Sequence, residues 1–335
     1  MQKQTISIEV LLKNLKIKEL NAMQTASMAA AQQHKNIVLL SATGSGKTLA
    51  FLLPLVQKLN TENKKTQALI IVPSRELAQQ IELVFKSMGT GFKITCCYGG
   101  HKRETEENNL IEPPALLVGT PGRLADHIRR GNITIDTITN VVLDEFDKSL
   151  ELGFTEEVSF ILGSLPNIQE RMLTSATEAV SIPDFIKMQD AVKLNFLNEE
   201  AIPVEKLAVK TIISEDKDKI DTLFRLICYT GGQSSIVFCN HRESVERVSN
   251  LLSEKGIQNE FYHGAMEQQE RDSALCKFRN GSTNVLITTD LAARGLDIPN
   301  IRYIIHYHLP HTEDIFTHRN GRTARMDATG TVVMI

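Results

Sequence analysis

The chain has 335 residues, 42% of them apolar and 23% charged, with 37 Lys and Arg against 40 Asp and Glu for a net charge of -3. These values exclude wholesale disorder and a protein held on nucleic acid by bulk positive charge, so any polyanion site must be local. Five cysteines without a C-x-x-C pair argue against a disulfide framework or zinc site; with no membrane-length apolar run and no signal peptide, a soluble, cytoplasmic chain without a membrane partner is expected.

The length predicts about two domains. In the first, β-branched runs at Asn36–Leu40, Ala68–Val72, Lys93–Cys97, Ala115–Val118, Val141–Leu143 and Arg171–Leu173 read as strands. Their near-continuous apolar character suits strands covered on both faces. Between them, Leu49–Leu59 and Glu76–Met88 carry helical spacing. Asn195–Lys206, with Pro203 and three glutamates, reads as a linker. A second set follows at Ser235–Phe238, Glu260–Tyr262, Val285–Thr288, Ile301–His306 and Thr331–Ile335. The fold class is therefore α/β: two tandem domains, residues 1–200 and 201–335, each a mostly parallel sheet with helices on both faces. The second is expected to continue past Ile335.

After the first strand comes Ser41-Ala42-Thr43-Gly44-Ser45-Gly46-Lys47-Thr48, then a helical pattern. Gly44 and Gly46 let backbone N–H groups turn around phosphate oxygens, Lys47 can reach the β- and γ-phosphates, and the Thr48 hydroxyl can ligate Mg²⁺. The general pattern has Gly where this chain has Ser41. Val141–Leu143 runs into Asp144-Glu145-Phe146-Asp147. Alone, that acidic stretch reads equally as a solvated loop or a helix cap. Beside a phosphate loop, Asp144 becomes the Mg²⁺ partner and Glu145 the base for the attacking water.

From about Gln24 to Arg325 the sequence resembles the DEAD-box family of ATP-dependent RNA helicases, with Asp-Glu-Phe-Asp where the family has Asp-Glu-Ala-Asp. The resemblance implies two RecA-like domains, ATP with Mg²⁺, and RNA as partner of a monomeric enzyme. It implies that Gln24 reads the adenine edge and that Thr43, Gly44, Ser45, Gly46, Lys47 and Thr48 hold the phosphates. RNA-contacting roles follow for Pro73, Arg75, Gly99, Gly100, Thr120, Gly122 and Arg123. In the second domain, Val237–Asn240, Gln268 with Arg271, and Thr288 with Asp290 resemble RNA-side segments. Gly295 and Asp297 resemble nucleotide-side residues, Asp297 near the ribose, and Arg322 and Arg325 resemble arginine fingers. Asp147, Ser175, Thr177 and His318 are implied to couple ATP to RNA.

Phe146 is expected to repack locally, and Ser7 stands near where the family has an aromatic residue. Asn320 and Ala324 replace the family's usual Ile and Gly. Several features read as structural: Glu104–Glu107 as a solvated helix face, Cys96-Cys97 as core, His263 as a hydrogen-bonding residue rather than a ligand. With no Trp and five Tyr, backbone-directed, sequence-tolerant RNA binding is favoured over base stacking. The expected activity is RNA-stimulated ATP hydrolysis coupled to local duplex separation. Rival readings are a DNA helicase or translocase, and a nucleotide-gated RNA clamp.

Overall fold

The computed structural model describes residues 6–42, 44–178, 181–197, 207–290, 298, 301–323 and 329–335. The chain divides into two compact units, residues 1–200 and 201–335.

In the first unit the described strands are β1 (Asn36–Leu40), β2 (Ala68–Ile71), β3 (Ile94–Cys97), β4 (Leu116–Gly119), β5 (Asn140–Leu143), β6 (Glu170–Ser175) and β7 (Val192–Asn195). They form one sheet in the order β3-β4-β2-β5-β6-β1-β7, every pairing parallel. Side chains alternate between two cores. Ile70, Leu116, Val118 and Val142 pack with Phe51, Leu52, Ile81 and Phe85. Leu69, Ile71, Leu117, Val141 and Leu143 pack on the other face with Leu124 and Ile161. Burial on both faces explains why these strands read as unbroken apolar runs. The helix Lys47–Lys58 continues through Pro54, which gives up one backbone hydrogen bond inside a fully buried segment.

The described strands of the second unit are β8 (Leu207–Thr211), β9 (Ser235–Phe238), β10 (Glu260–Tyr262), β11 (Val285–Thr288), β12 (Tyr303–His306) and β13 (Gly330–Met334). Their order is β10-β11-β9-β12-β13-β8, again all parallel. Helices Ile220–Tyr229 and Arg242–Glu254 cover one face, and Leu275 and Phe278 of the helix Gln268–Arg279 pack on the other.

β7 and β8 have no counterpart in the sequence reading, and Asn195, read as the start of a linker, ends β7. Both are edge strands: β7 alternates half-buried with exposed residues, and β8 is mostly exposed, so neither carries an apolar run. Among the described residues, no helix is long and apolar enough to cross a membrane.

Candidate functional site

Because every strand of the first sheet is parallel, all their C-terminal ends lie on one edge, where ligands bind in open α/β sheets. Across that edge the sheet order sets the loops after β3 (Gly99, Gly100), β4 (Thr120, Gly122, Arg123) and β2 (Pro73, Arg75) side by side. The loops after β5 (Asp144, Glu145), β6 (Ser175, Thr177) and β1 (the phosphate loop) then follow. One half of the edge carries the residues read as RNA contacts, the other those read as nucleotide contacts.

In the phosphate loop Gly44 and Gly46 take φ of 89° and 93°, a left-handed turn that a side chain would strain. A Cβ on Gly46 would also come within 2.7 Å of Gln24 Nε2. Lys47 is buried and donates to the carbonyls of Ser41 (2.5 Å) and Ala42 (3.0 Å). Ser41 and Ser45 share a short hydroxyl hydrogen bond, which gives the atypical Ser41 a place in the loop. Gln24 sits in a capping box with Asn21 at the start of helix Ala22–Gln33. Its Nε2 donates to Gly46 O at 3.3 Å, and Asn21 Nδ2 donates to Ser45 O at 3.0 Å. The segment read as the adenine sensor is thus bonded to the loop read as the phosphate cradle. Thr48 is half-buried, and Thr43 lies outside the described residues.

Asp144 is buried, and its carboxyl is pushed up to about 6, first by burial and then by the neighbouring Glu145 charge; the Thr174 hydroxyl and Lys47 act the other way. Thr174 donates to Asp144 Oδ1 and accepts from the Glu145 N–H at 3.1 Å. Glu145 has a φ of 48°, left-handed geometry that a non-glycine residue adopts only when its surroundings impose it. Phe146 is buried in the core with Val141 and Leu143, so the ring takes up core space and leaves the acids at the edge. Asp147 is buried; its Oδ2 accepts from Thr177 Oγ1 at 3.1 Å, and Ser175 Oγ donates to Thr177 O at 2.7 Å. The acidic loop and the Ser175–Thr177 segment therefore form one bonded unit.

On the other half, Pro73 is buried and precedes the helix Arg75–Ser87, capped by Ser74 Oγ accepting from Leu77 N at 3.3 Å. Arg75 Nη1 donates to Gly99 O at 3.4 Å, and Arg123 Nη2 to His101 O at 3.3 Å. Gly99, Gly100 and Gly122 are exposed and Thr120 is half-buried. One expectation fails here. In the stretch read as a solvated face, Glu106 is only 1% exposed, turned inward against Tyr98, His101, Arg123 and His127. Cys97 is core, its thiol raised well above the ordinary range by burial, as read from the sequence.

In the second unit the sheet edge is organised by Arg319, which is 2% exposed. Its guanidinium pairs through two nitrogens with Asp290 and donates to His308 O at 2.7 Å and Asn240 Oδ1 at 2.9 Å. It also donates to His306 Nδ1 at 3.1 Å and lies 5.0 Å over the Phe238 ring. Asp290, expected on the RNA side, thus has an internal partner, and Thr288 is buried in β11. Arg271 is folded inward, its Nη2 donating to Tyr262 OH at 2.7 Å, with the guanidinium over that ring. Arg322 is buried just past the helix Glu313–Asn320, whose His318 is half-buried. Gly295, Asp297 and Arg325 lie outside the described residues. His263, expected to hydrogen-bond, has both ring nitrogens buried without a hydrogen-bond partner among the described residues, Nε2 standing 3.0 Å from a Glu246 carboxylate oxygen.

Thr174, Glu106 and Arg319 bear on the site without having been assigned a role from sequence. Thr174 directly precedes Ser175-Ala176-Thr177 and Arg319 follows His318, so adjacency to a motif was the available signal. Glu106 offered none.

A glycine-turned phosphate cradle and a buried acidic strand end on one parallel edge, with a second parallel α/β unit following, define a P-loop nucleoside-triphosphatase built of tandem RecA-like domains. The profile of the DEAD/DEAH box helicase family matches residues 21–185, and that of the helicase conserved C-terminal domain matches residues 218–327. The DEAD-box ATP-dependent RNA helicase CshA of Geobacillus kaustophilus is 34% identical over 322 residues, covering 93% of this chain and 68% of its own length. The ATP-dependent RNA helicase DbpA of Escherichia coli is 33% identical over 317 residues, covering 93% of this chain and 69% of its own length. A solved structure of S. cerevisiae Dbp5 bound to RNA and ADP BeF3 covers 98% of this chain and 87% of that one, with 28% identity and a TM-score of 0.87. The chain belongs to the DEAD-box family of ATP-dependent RNA helicases, enzymes that hydrolyse ATP.

Proposed function

We propose that this chain hydrolyses ATP slowly until RNA engages it, and separates short RNA duplexes locally rather than travelling along them. The observation that carries this reading is the division of one sheet edge. Loops after β3, β4 and β2 offer exposed glycines and two arginines, while loops after β5, β6 and β1 offer the phosphate cradle and acids. The Asp147–Thr177 bond links the acidic loop to the segment assigned to coupling.

In this reading Gln24 takes the adenine edge, and Gly44, Ser45, Gly46 and Lys47 take the phosphates. Glu145 accepts the proton of the attacking water. Asp144 and Thr48 are hard oxygen donors of the kind Mg²⁺ takes, and the buried, raised Asp144 carboxyl suits a cation partner. Bound there, the ion would neutralise charge on the phosphates. Arg322 and Arg325 are assigned as fingers, worth on the order of 10³–10⁵ in rate once brought to the γ-phosphate. Duplex stacking is worth about 1.4 kcal/mol per step, so one ATP cycle suffices for a few steps and not for a long helix. Backbone contacts and 2′-hydroxyls, not base edges, distinguish RNA from DNA here.

Matched RNA and DNA duplexes, short and long, offered at one salt concentration with ATP, test this. Release of short RNA duplexes and RNA-stimulated turnover are expected. Equal stimulation by single-stranded DNA, or steady unwinding of long duplexes, would replace the reading with a DNA-directed translocase.

A further inference from the structure

Glu106 belongs to none of the segments assigned above, yet its carboxylate is buried among side chains of both loops on the RNA half of the edge. Oε1 accepts from the Tyr98 N–H at 2.8 Å and lies 2.9 Å from His101 Nε2. Oε2 lies 2.7 Å from His127 Nε2 and 3.3 Å from Arg123 Nη1. Tyr98 and His127 hydrogen-bond to the carboxylate, and His101 and Arg123 stand within ion-pair distance of it. Asn132 Nδ2 stands 3.1 Å from His127 Nδ1, an arrangement in which Nδ1 accepts and Nε2–H donates to Glu106.

The partners fall into two pairs. Tyr98 and His101 bracket Gly99-Gly100, the loop after β3. Arg123 and His127 stand in the helix Pro121–Arg129, which opens directly after Thr120 in the loop after β4. Further bonds run between the same loops: Arg123 Nη2 to His101 O at 3.3 Å, and Thr120 N to Cys97 O at 3.0 Å. We propose that Glu106 is a positioning residue for RNA, tying the loop after β3 and the loop after β4 into one preformed backbone-binding surface. This rests on reading those loops as RNA contacts.

Cys97, Glu106 and His127 also bring ligand atoms within 4.8 Å of one another, the makings of a buried cation site. The Arg123 guanidinium already supplies the positive charge beside that carboxylate, so the cluster is neutralised from within.

Charge and positioning predict opposite signs. Removing a negative charge beside an RNA surface should tighten binding on electrostatics alone. Losing the tie between the loops should weaken it. The experiment is the half-saturating concentration of single-stranded RNA in the ATPase reaction, measured for Glu106→Ala, Glu106→Gln, Arg75→Ala and Arg123→Ala in the full chain. Glu106→Ala is expected to raise that concentration about tenfold or more, with RNA-saturated turnover within about twofold of the parent, the split that marks lost binding rather than lost chemistry. Glu106→Gln, which keeps the acceptor for Tyr98 N–H, should fall between. An unchanged or lower half-saturating concentration in Glu106→Ala, or in Glu106→Gln if the alanine variant does not fold, overturns the proposal. If both arginine variants are also without effect, the RNA reading of these loops fails with it; if they weaken RNA and Glu106 variants do not, only the positioning role fails.

Discussion

The nucleotide half of the first sheet edge and the Arg319 cluster of the second handle charge in opposite ways. In the first unit the ionisable groups are held by their own loops: Lys47 turns onto the carbonyls of Ser41 and Ala42, and Asp144 is buried beside Glu145. Asp147 Oδ1 is buried with no hydrogen-bond partner among the described residues. In the second unit one guanidinium gathers Asp290, Asn240, His306 and His308 into a closed cluster, while Gln268 Oε1 stays buried without a hydrogen-bond partner among the described residues. An edge arranged for a ligand keeps groups whose best partners are not part of the chain, at some cost in stability. A cluster closed on itself is a structural element first. Substitutions in the first should therefore cost activity while sparing or raising stability, and in the second should cost both.

The largest expected effect sharpens the second half of that contrast. Arg319→Ala leaves Asp290 without its cation and strips donors from Asn240 and His308; breaking a buried pair in this way typically costs about 3–5 kcal/mol. Denaturant unfolding of the full chain, with hydrogen exchange read by region, should place the loss in residues of the second unit. An Arg319→Ala variant as stable as the parent would show that the network is not structural.

Next is the acid behaviour of His306. Burial holds this ring at about 4, below its ordinary 6.5, with the Asn320 hydrogen bond opposing and Arg319 adding to the depression. The folded state thus binds fewer protons than the unfolded between those values. The contribution is fully present above pH 6.5 and is lost as pH falls toward 4, about 3 kcal/mol in all at about 1.4 kcal/mol per pH unit. Hydrogen exchange around β12 that accelerates over this window, and does so much less in His306→Asn, would bear the expectation out. Equal pH profiles would contradict it.

The first unit should respond with the other sign. Asp144 carries its charge at neutral pH in a buried place that raises its carboxyl to about 6. Asp144→Asn removes that charge and should stabilise the nucleotide-free protein at pH 7.5 by on the order of 2 kcal/mol, while abolishing turnover. A lower melting temperature for Asp144→Asn would break the contrast between the edges.

The interior strands were legible because burial on both faces writes an unbroken apolar run, as in Ala68–Ile71. β7 and β8 were not, because an edge strand half-open to water carries no such run. The phosphate loop and acidic strand end were readable since their chemistry is local in sequence. The Glu106 and Arg319 networks were not, because their meaning lies in partners brought by other strands. Glu106 sits in Arg-Glu-Thr-Glu-Glu-Asn-Asn-Leu, a stretch so polar that a buried carboxylate leaves no trace in its periodicity.

The central claim is that the β1 and β5 loops form an ATP site that RNA switches on, with Glu145 as the base. Steady-state ATP hydrolysis with and without single-stranded RNA, alongside nucleotide binding, tests it in the parent and in Glu145→Gln. The account predicts strong stimulation by RNA in the parent, and in Glu145→Gln retained ATP binding with stimulated turnover lost by about 10²-fold or more. Equal stimulated rates in the two proteins would contradict it.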